Sequence, residues 1–468
     1  MIASSNKQKM EILRTKLWEI IFILFPCLVV LSSCSSDDYI NVIPQNSTAI
    51  VAVDAQDLFG NSETDKQKSY LKELLQIKDF NDCGIDVSSR AYIFETVDGN
   101  LGLVVKVKDE GTLNEWLDNL HNVGRCKKIT KRKDLSFTSV KDKWIIGFSS
   151  DAMLVMGPVL PAQQAEMQRQ MVKYFEQDEE QSIKFTPLFE KLDSLNSSIS
   201  IVAQAAALPE KFVAPFTIGA PKDADASQIM IAAEINKDNS ECIEIVGETF
   251  SFNKNIDGVL KENMKVFRPI KGTYLKSFSY DSSLGVFVNV NGEDFIKLLH
   301  SNKSFQALLA GINTAIDMDN IIRSVDGDMA FVFPAFSDIN NLPQMSAQLA
   351  NKDFLKDVDY WKKSCLSGSK ITDWDKDSYC YTDGTINYYF GVSVDMQFYS
   401  GSTSEAAKES ILKSKNALNN DICKKIEGKR ICFVLNVDSV LGDGNNANTA
   451  LSLVKPLLGD VKTVLYSM

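Results

Sequence analysis

Apolar and small residues alternate over residues 47–59 of this chain and then give way to a helix start, and the same cadence returns over residues 284–295. Val51, Val53, Asp57 and Leu58 fall on Val288, Val290, Asp294 and Phe295 at an offset of 237. A period of two marks half-buried strands. Further elements follow in the same order behind each run. The first copy predicts strands over 90–94 and 101–107, then a helix over 112–120 with Thr112 as N-cap and Glu115 completing a capping box. The second predicts a strand over 329–333 and a helix over 353–363. A hairpin is expected next in each, and residues 137–157 align without gaps on 381–401 at an offset of 244. Thr138, Gly147, Ser149, Asp151 and Gly157 are identical to Thr382, Gly391, Ser393, Asp395 and Gly401. Helix-period residues then span 161–175 and 404–418, each followed by a buried-strand run, 199–203 and 431–435. Residues 243–252 and 272–280 read as additional strands that end the first copy. The pattern predicts an α+β fold: two similar lobes from an internal duplication, with mostly antiparallel sheets and helices packed on one face.

Ahead of the first lobe, Lys7, Lys9, Arg14 and Lys16, diluted by Glu11 and Glu19, precede an apolar run over residues 20–31. That run is too short to span a bilayer, which needs about 20 apolar residues. Leu31-Ser32-Ser33-Cys34 resembles the lipobox of bacterial lipoproteins, in which the cysteine is diacylated and the preceding peptide removed. An ordinary signal peptide with an incidental Cys34, or a short anchor, is the plainer alternative. Asp37 and Asp38 resemble the acidic export signal of surface lipoproteins in Bacteroides-type bacteria, and a solvated tether is the simpler use of two aspartates. The expected organisation is a lipoprotein signal peptide over 1–33, a tether over 34–45, a first lobe over 46–280 and a second over 281–468. The expected place is the outer membrane, held through N-terminal acyl chains, with surface exposure favoured over a periplasmic position.

Composition adds that the rest is an ordinary folded chain, 44% hydrophobic and 24% charged. Residues 1–33 carry four basic and two acidic side chains, so their removal takes the formal net charge from −11 to −13. An acidic surface argues against nucleic acid, whose binding rests on neutralising phosphates. The basic cluster of Lys127, Lys128, Lys131, Arg132 and Lys133 reads as a solvated face. Apart from Cys27 and Cys34, seven cysteines remain, with no C-x-x-C pair, so no zinc ribbon is indicated. Cys423 and Cys432 are spaced to bridge a helix-to-strand loop; buried free thiols are the expectation for most of the set.

Candidate chemistry is sparse. The two histidines, His121 and His300, fall at comparable helix ends, where a structural role suits them. No nucleophile elbow, P-loop, zinc-protease or dinucleotide motif is present. Asp373, Asp375 and Asp377 alternate like the start of a calcium loop, but Ser378 and Gly384 stand where a turn glycine and a bidentate glutamate are required. A polar loop between helix and strand is the expected state, and neither a metal nor a cofactor is anticipated. Asp151 and Asp395 could pair as the two carboxylates of a glycan hydrolase; their matching hairpin positions point instead to turn-forming residues. Trp374 and Tyr379 lead an aromatic cluster that could hold a ligand, with cross-strand packing as the alternative. The apolar loop over 212–221 could cover a sheet or meet a partner, and the loop over 442–448 reads as exposed.

A lipobox, a start near Ile50 to Phe59 and two strand-helix-hairpin lobes resemble the uncharacterised lipoproteins of Bacteroides-type bacteria grouped as domain of unknown function 4836. The resemblance covers essentially all of the chain after Cys34. It implies a cell-envelope lipoprotein and transfers no activity, cofactor or catalytic residue. The expected function is a non-catalytic binding or scaffolding component with a glycan or envelope-protein partner, its ligand between the lobes by the general preference for clefts. A histidine-free, carboxylate-dependent glycan hydrolase and a structural or adhesive surface protein are the alternatives.

Overall fold

The computed structural model describes residues 37–54, 72–73, 75–208, 217, 219–221, 224–237, 241–301, 316–334, 342–437 and 461–468. Cys34, the signal segment, the expected helix start at Asp57, most of the 212–221 loop and residues 442–448 lie outside them. The chain is a mixed α and β structure whose strands pair almost entirely antiparallel, and it divides into two compact units. The first runs to residue 209 and takes in 230–239; the second comprises 210–229, 240–448 and 461–468.

In the first unit the strands are β1 (Ala49–Val53), β2 (Ala91–Glu95), β3 (Leu101–Lys106), β4 (Thr130–Arg132), β5 (Leu135–Val140), β6 (Trp144–Phe148), β7 (Ala152–Gly157), β8 (Ile199–Gln204) and β9 (Met230–Lys237). They lie in the order β9-β8-β1-β2-β3-β7-β6-β5-β4. The second unit holds β10 (Cys242–Phe250), β11 (Phe267–Arg268), β12 (Leu284–Asn291), β13 (Val325–Phe333), β14 (Gln344–Leu349), β15 (Lys370–Asp375), β16 (Ser378–Thr382), β17 (Asn387–Val392), β18 (Gln397–Gly401), β19 (Ile431–Asn436) and β20 (Thr463–Ser467). Their order is β20-β19-β12-β13-β14-β18-β17-β16-β15, the same series as in the first unit. β10, placed by the sequence at the end of the first lobe, instead pairs with β20 in parallel and belongs to the second unit.

The first unit also contains helices α1 (Glu110–Asn122), α2 (Gln164–Phe175) and α3 (Pro187–Asp193). The second contains α4 (Lys254–Asn263), α5 (Gly292–Ser301), α6 (Met318–Arg323), α7 (Val358–Ser364), α8 (Ser404–Glu409) and α9 (Asn420–Ile426). Helices cover both faces of the strands, where the sequence pattern led us to expect one. Leu113, Trp116 and Leu117 of α1 pack with Trp144, Ile146 and Phe148 of β6. Gly147, between them and therefore on the opposite face, looks instead onto Phe137 and Met171 of α2. The reason is that β6 and β7 are buried at every position, so both of their faces need cover. At the outer edge β4 is exposed throughout and carries Lys131 and Arg132, charges that discourage pairing with another chain.

Several local expectations shift by a few residues for identifiable reasons. The N-cap of α1 is Asp109, whose carboxylate accepts from the Thr112 N–H at 2.6 Å, so the helix begins before Thr112 and the expected capping box is not formed. The segment over 353–363 is a 3₁₀ turn running into α7, and α8 stops at Glu409. The gapless hairpin alignment holds only across β6 and β17. Phe148 pairs with Met153 but Val392 with Phe398, so the second turn is one residue longer and Gly157 is not the counterpart of Gly401. Residues 272–280 are not a strand; they wrap a buried carboxylate, Asp328.

No disulfide joins Cys423 to Cys432. Both are buried free thiols, as are Cys83, Cys126, Cys242 and Cys380, while Cys365 is half-exposed. Burial pushes the Cys432 thiol well above its ordinary value, and the thiolate is the reactive form. In the native protein, Ellman's reagent is therefore expected to titrate Cys365 readily and the six buried thiols only after denaturant is added. Rapid native reaction of Cys432 would contradict this core.

Candidate functional site

The aromatic cluster predicted around Trp374 forms on the outer hairpins of the second unit. β15 and β16 are joined by a tight turn in which Asp377 adopts a positive φ of 51°. Asp373 is opposite Tyr379 in the ladder, so the next residue, Trp374, points to the other face of the sheet. There its ring meets Tyr389 edge-on at 5.7 Å and Tyr399 at 6.5 Å. Its indole N–H donates to the Tyr379 carbonyl at 2.9 Å. Tyr379 faces the other way. Its ring lies 5.6 Å from Phe390, within the core that includes Tyr388, Val392, Phe398 and Trp361 of α7. The two candidate ligand residues thus occupy opposite faces and form no common platform, because side chains alternate along the strand and Tyr379 is opposite Asp373, the neighbour of Trp374.

Each ring carries a lysine held by an aspartate. Lys408 of α8 sits 4.9 Å over Trp374 and pairs with Asp375 at 2.9 Å. Lys362 of α7 sits 5.2 Å over Tyr379 and pairs with Asp373 at 2.8 Å. Asp377 in turn pairs with Lys352 at 2.7 Å. The three carboxylates of the imagined calcium loop are therefore each matched to a separate lysine, on a hairpin where the sequence suggested a loop. The Asp375 carboxyl is held below its ordinary range by the Lys408 hydrogen bond, and Lys408 is raised by the same contact. Burial raises the Tyr379 hydroxyl, with Lys362 opposing. A flat sugar ring could stack on Trp374 only by displacing Lys408 from that face, a cation–π contact of about 0.5–1 kcal/mol at exposed sites.

The other candidates have local roles. Asp395 accepts from Ser393 and Gln397 inside its own turn, bonds that hold its carboxyl below the ordinary range. Asp151 lies in the equivalent turn of the first unit, beside Ser149 and Ser150. His121, in the last turn of α1, is 3.1 Å from the Cys126 carbonyl, and His300 pairs with Asp319 at 2.8 Å. Asp37 and Asp38 are exposed at the entry to a 3₁₀ turn, Asp38–Val42, whose Tyr39, Ile40 and Val42 are buried. The expected tether over 34–45 thus includes residues that are part of the packed first unit, Ile43 among them.

One further polar centre is not among the candidates read from the sequence. Asp328, 2% exposed on β13, accepts from the N–H groups of Lys271 at 3.0 Å and Thr273 at 2.8 Å and from Asn289 Nδ2 at 2.7 Å. Gly272, at a φ of 94°, lets the N–H groups of the residues on either side of it converge on the carboxylate. Next to it Tyr274, Phe287, Asp328 and Met329 line a recess too tight to admit even a water molecule, so it does not hold a ligand. Its only signal in the chain is a glycine beside polar residues, which resembles any turn.

No curated protein matches this chain. Among solved structures, crystal form IV of TP0453 is 10% identical over 43% of this chain and 76% of its own, with a TM-score of 0.26. Crystal form III of TP0453 is 9% identical over 81% of this chain and 99% of its own, with a TM-score of 0.22. Neither likeness is strong enough to carry an inference. The model of a family described as a domain of unknown function (DUF4836) matches residues 39–443, and the chain belongs to that family.

Proposed function

We propose that this protein is a cell-envelope lipoprotein that binds or scaffolds other envelope components and performs no chemistry of its own. The observation that carries the reading is Leu31-Ser32-Ser33-Cys34 placed directly before a folded body. Acyl chains on Cys34 would hold that body in the outer membrane, each buried CH₂ contributing about 0.8 kcal/mol. Exposed Asp37 and Asp38 suit a surface address, and the partner is then a glycan or an envelope protein. The shared strand order of the two units supports their origin in one duplicated lobe. The ion-paired carboxylates around Trp374 and the turn-bound Asp395 favour binding over the hydrolase alternative.

Replacing Cys34 with serine is expected to abolish incorporation of radiolabelled palmitate and to move the protein from the membrane pellet to the supernatant. Proteinase treatment of cells producing the native chain is expected to degrade it without permeabilisation. Degradation only after permeabilisation would place it in the periplasm, and unchanged palmitate labelling of Cys34→Ser would end the lipoprotein reading.

A further inference from the structure

Only Ser35 and Ser36 separate Cys34 from Asp37. Three Cα steps of 3.8 Å give a reach of at most about 11 Å. Immediately after Asp37 the chain is packed into the first unit. The Tyr39 hydroxyl donates to the Arg90 carbonyl at 2.8 Å, Gln177 Nε2 to the Asn41 carbonyl at 2.9 Å, and the Ile183 N–H to the Ile43 carbonyl at 2.9 Å. An acylated Cys34 would therefore hold the folded body itself at the bilayer surface, since no long linker intervenes.

Beside this entry point a row of aromatic rings runs from the core to α3, among the exposed acids Glu180 and Glu190. The Tyr39 ring lies 6.1 Å from Tyr92, and Tyr92 lies 6.0 Å from Phe189 of α3. Phe189 is half-buried, Pro187 at the head of α3 is exposed, and Phe185 just before it is 68% exposed. The 3₁₀ turn Ile183–Phe185 is joined to the entry segment by the Ile183–Ile43 hydrogen bond and by a bridge between Pro44 and Ser182. Lys184 pairs with Glu179 at 3.2 Å, which reduces net charge next to Phe185. A single exposed phenylalanine ordinarily means nothing. One on a segment hydrogen-bonded to the chain that leads from a lipid anchor does, because an aromatic ring gains free energy at the headgroup boundary.

We propose that the first unit lies against the lipid bilayer with the Phe185–Phe189 segment at the interface and Phe185 as its inserted side chain. This rests on the acylation of Cys34 proposed above. The occupant of the patch is the membrane that carries the protein, and the short reach from Cys34 argues for it.

The test uses the full-length acylated protein, in a Cys365→Ala background, reconstituted into phosphatidylcholine vesicles that contain a lipid-borne fluorescence quencher. An environment-sensitive fluorophore is attached at Phe185→Cys or, for reference, at Val123→Cys, which is 57% exposed at the end of α1 on the other face of the sheet. The label at 185 is expected to be quenched several-fold more than the label at 123. Insertion of about ten Gly/Ser residues after Ser36, a flexible spacer, is expected to shrink that difference. Equal quenching in vesicle-bound protein would overturn the inference and leave the lipoprotein reading standing. Failure of the acylated preparation to bind vesicles would overturn both.

Discussion

Gly292→Ala is expected to lose the cooperative unfolding transition of the second unit. Gly292 opens α5 against the end of α6, and a Cβ there would sit far inside 3.0 Å of the Ile322 carbonyl oxygen, a distance real Cβ atoms essentially never show. The obstacle is backbone, so no side-chain rotation relieves it. To make room, α5 and α6 must separate, and these helices supply Phe295, Ile296, Leu299, Ile321 and Ile322 to the core around Phe390 and Trp361. Overpacking a core costs about 1–3 kcal/mol when side chains alone adjust. Moving two helices places this substitution among the exceptional losses above about 4 kcal/mol. Gly258→Ala supplies the opposite sign. Gly258 lies in α4 with nothing within 4 Å of an added Cβ, and alanine there is expected to stabilise by about 0.8–1 kcal/mol through helix propensity. Urea unfolding followed by circular dichroism measures both, and a Gly292→Ala midpoint close to native would refute the close approach of the two helices.

Asp328→Ala is the second large effect. The substitution removes a buried acceptor from two backbone N–H groups and the Asn289 amide at once. Hydrogen bonds to charged groups contribute about 1.5–3 kcal/mol each, offset in part by relief of the cost of burying the carboxylate. A net loss of about 3–5 kcal/mol is expected, since three buried donors are left unsatisfied at about 1–3 kcal/mol each. A second readout separates this role from simple packing. Lys271 and Lys276 flank the segment that Asp328 gathers, so trypsin should cut there in the variant at urea concentrations where the native chain resists. Asp328→Asn keeps the volume but turns an amide donor toward donors, and its loss should approach that of alanine. A loss below about 1 kcal/mol for both variants would mean that the segment is held by its apolar contacts alone.

Much of the fold was legible because its signals are local. Alternation located β1, β3, β8, β12 and β19 within a residue or two, since side chains on a half-buried strand must alternate. Helix-period residues located α2 for the same reason. The misplacements come from interactions that alternation does not encode. Residues 272–280 carry an apolar run like a strand, but the Asp328 carboxylate captures the N–H groups of Lys271 and Thr273 at its start, and a captured N–H cannot join a ladder. Asp109 outcompeted Thr112 as helix cap because a charged acceptor binds the helix N-terminus more strongly than a hydroxyl.

The candidate ligand pair shows the limit most plainly. Trp374 and Tyr379 are close in sequence and their strands are adjacent, yet the pairing of Asp373 with Tyr379 puts their rings on opposite faces. Lys408 and Lys362, which cover those rings, come from α8 and α7, so no window around Trp374 includes the whole arrangement.

By itself the sequence determined where several of the strands and helices form, the family, and the expectation of an acylated Cys34, because each depends on residues within one turn, one strand or one short motif. Only the tertiary structure decided that β10 joins the second unit, that helices cover both faces, that Cys423 and Cys432 stay apart, and that the packed body begins within a few residues of Cys34. Those outcomes depend on which distant surfaces bury one another, and residue order alone does not state it.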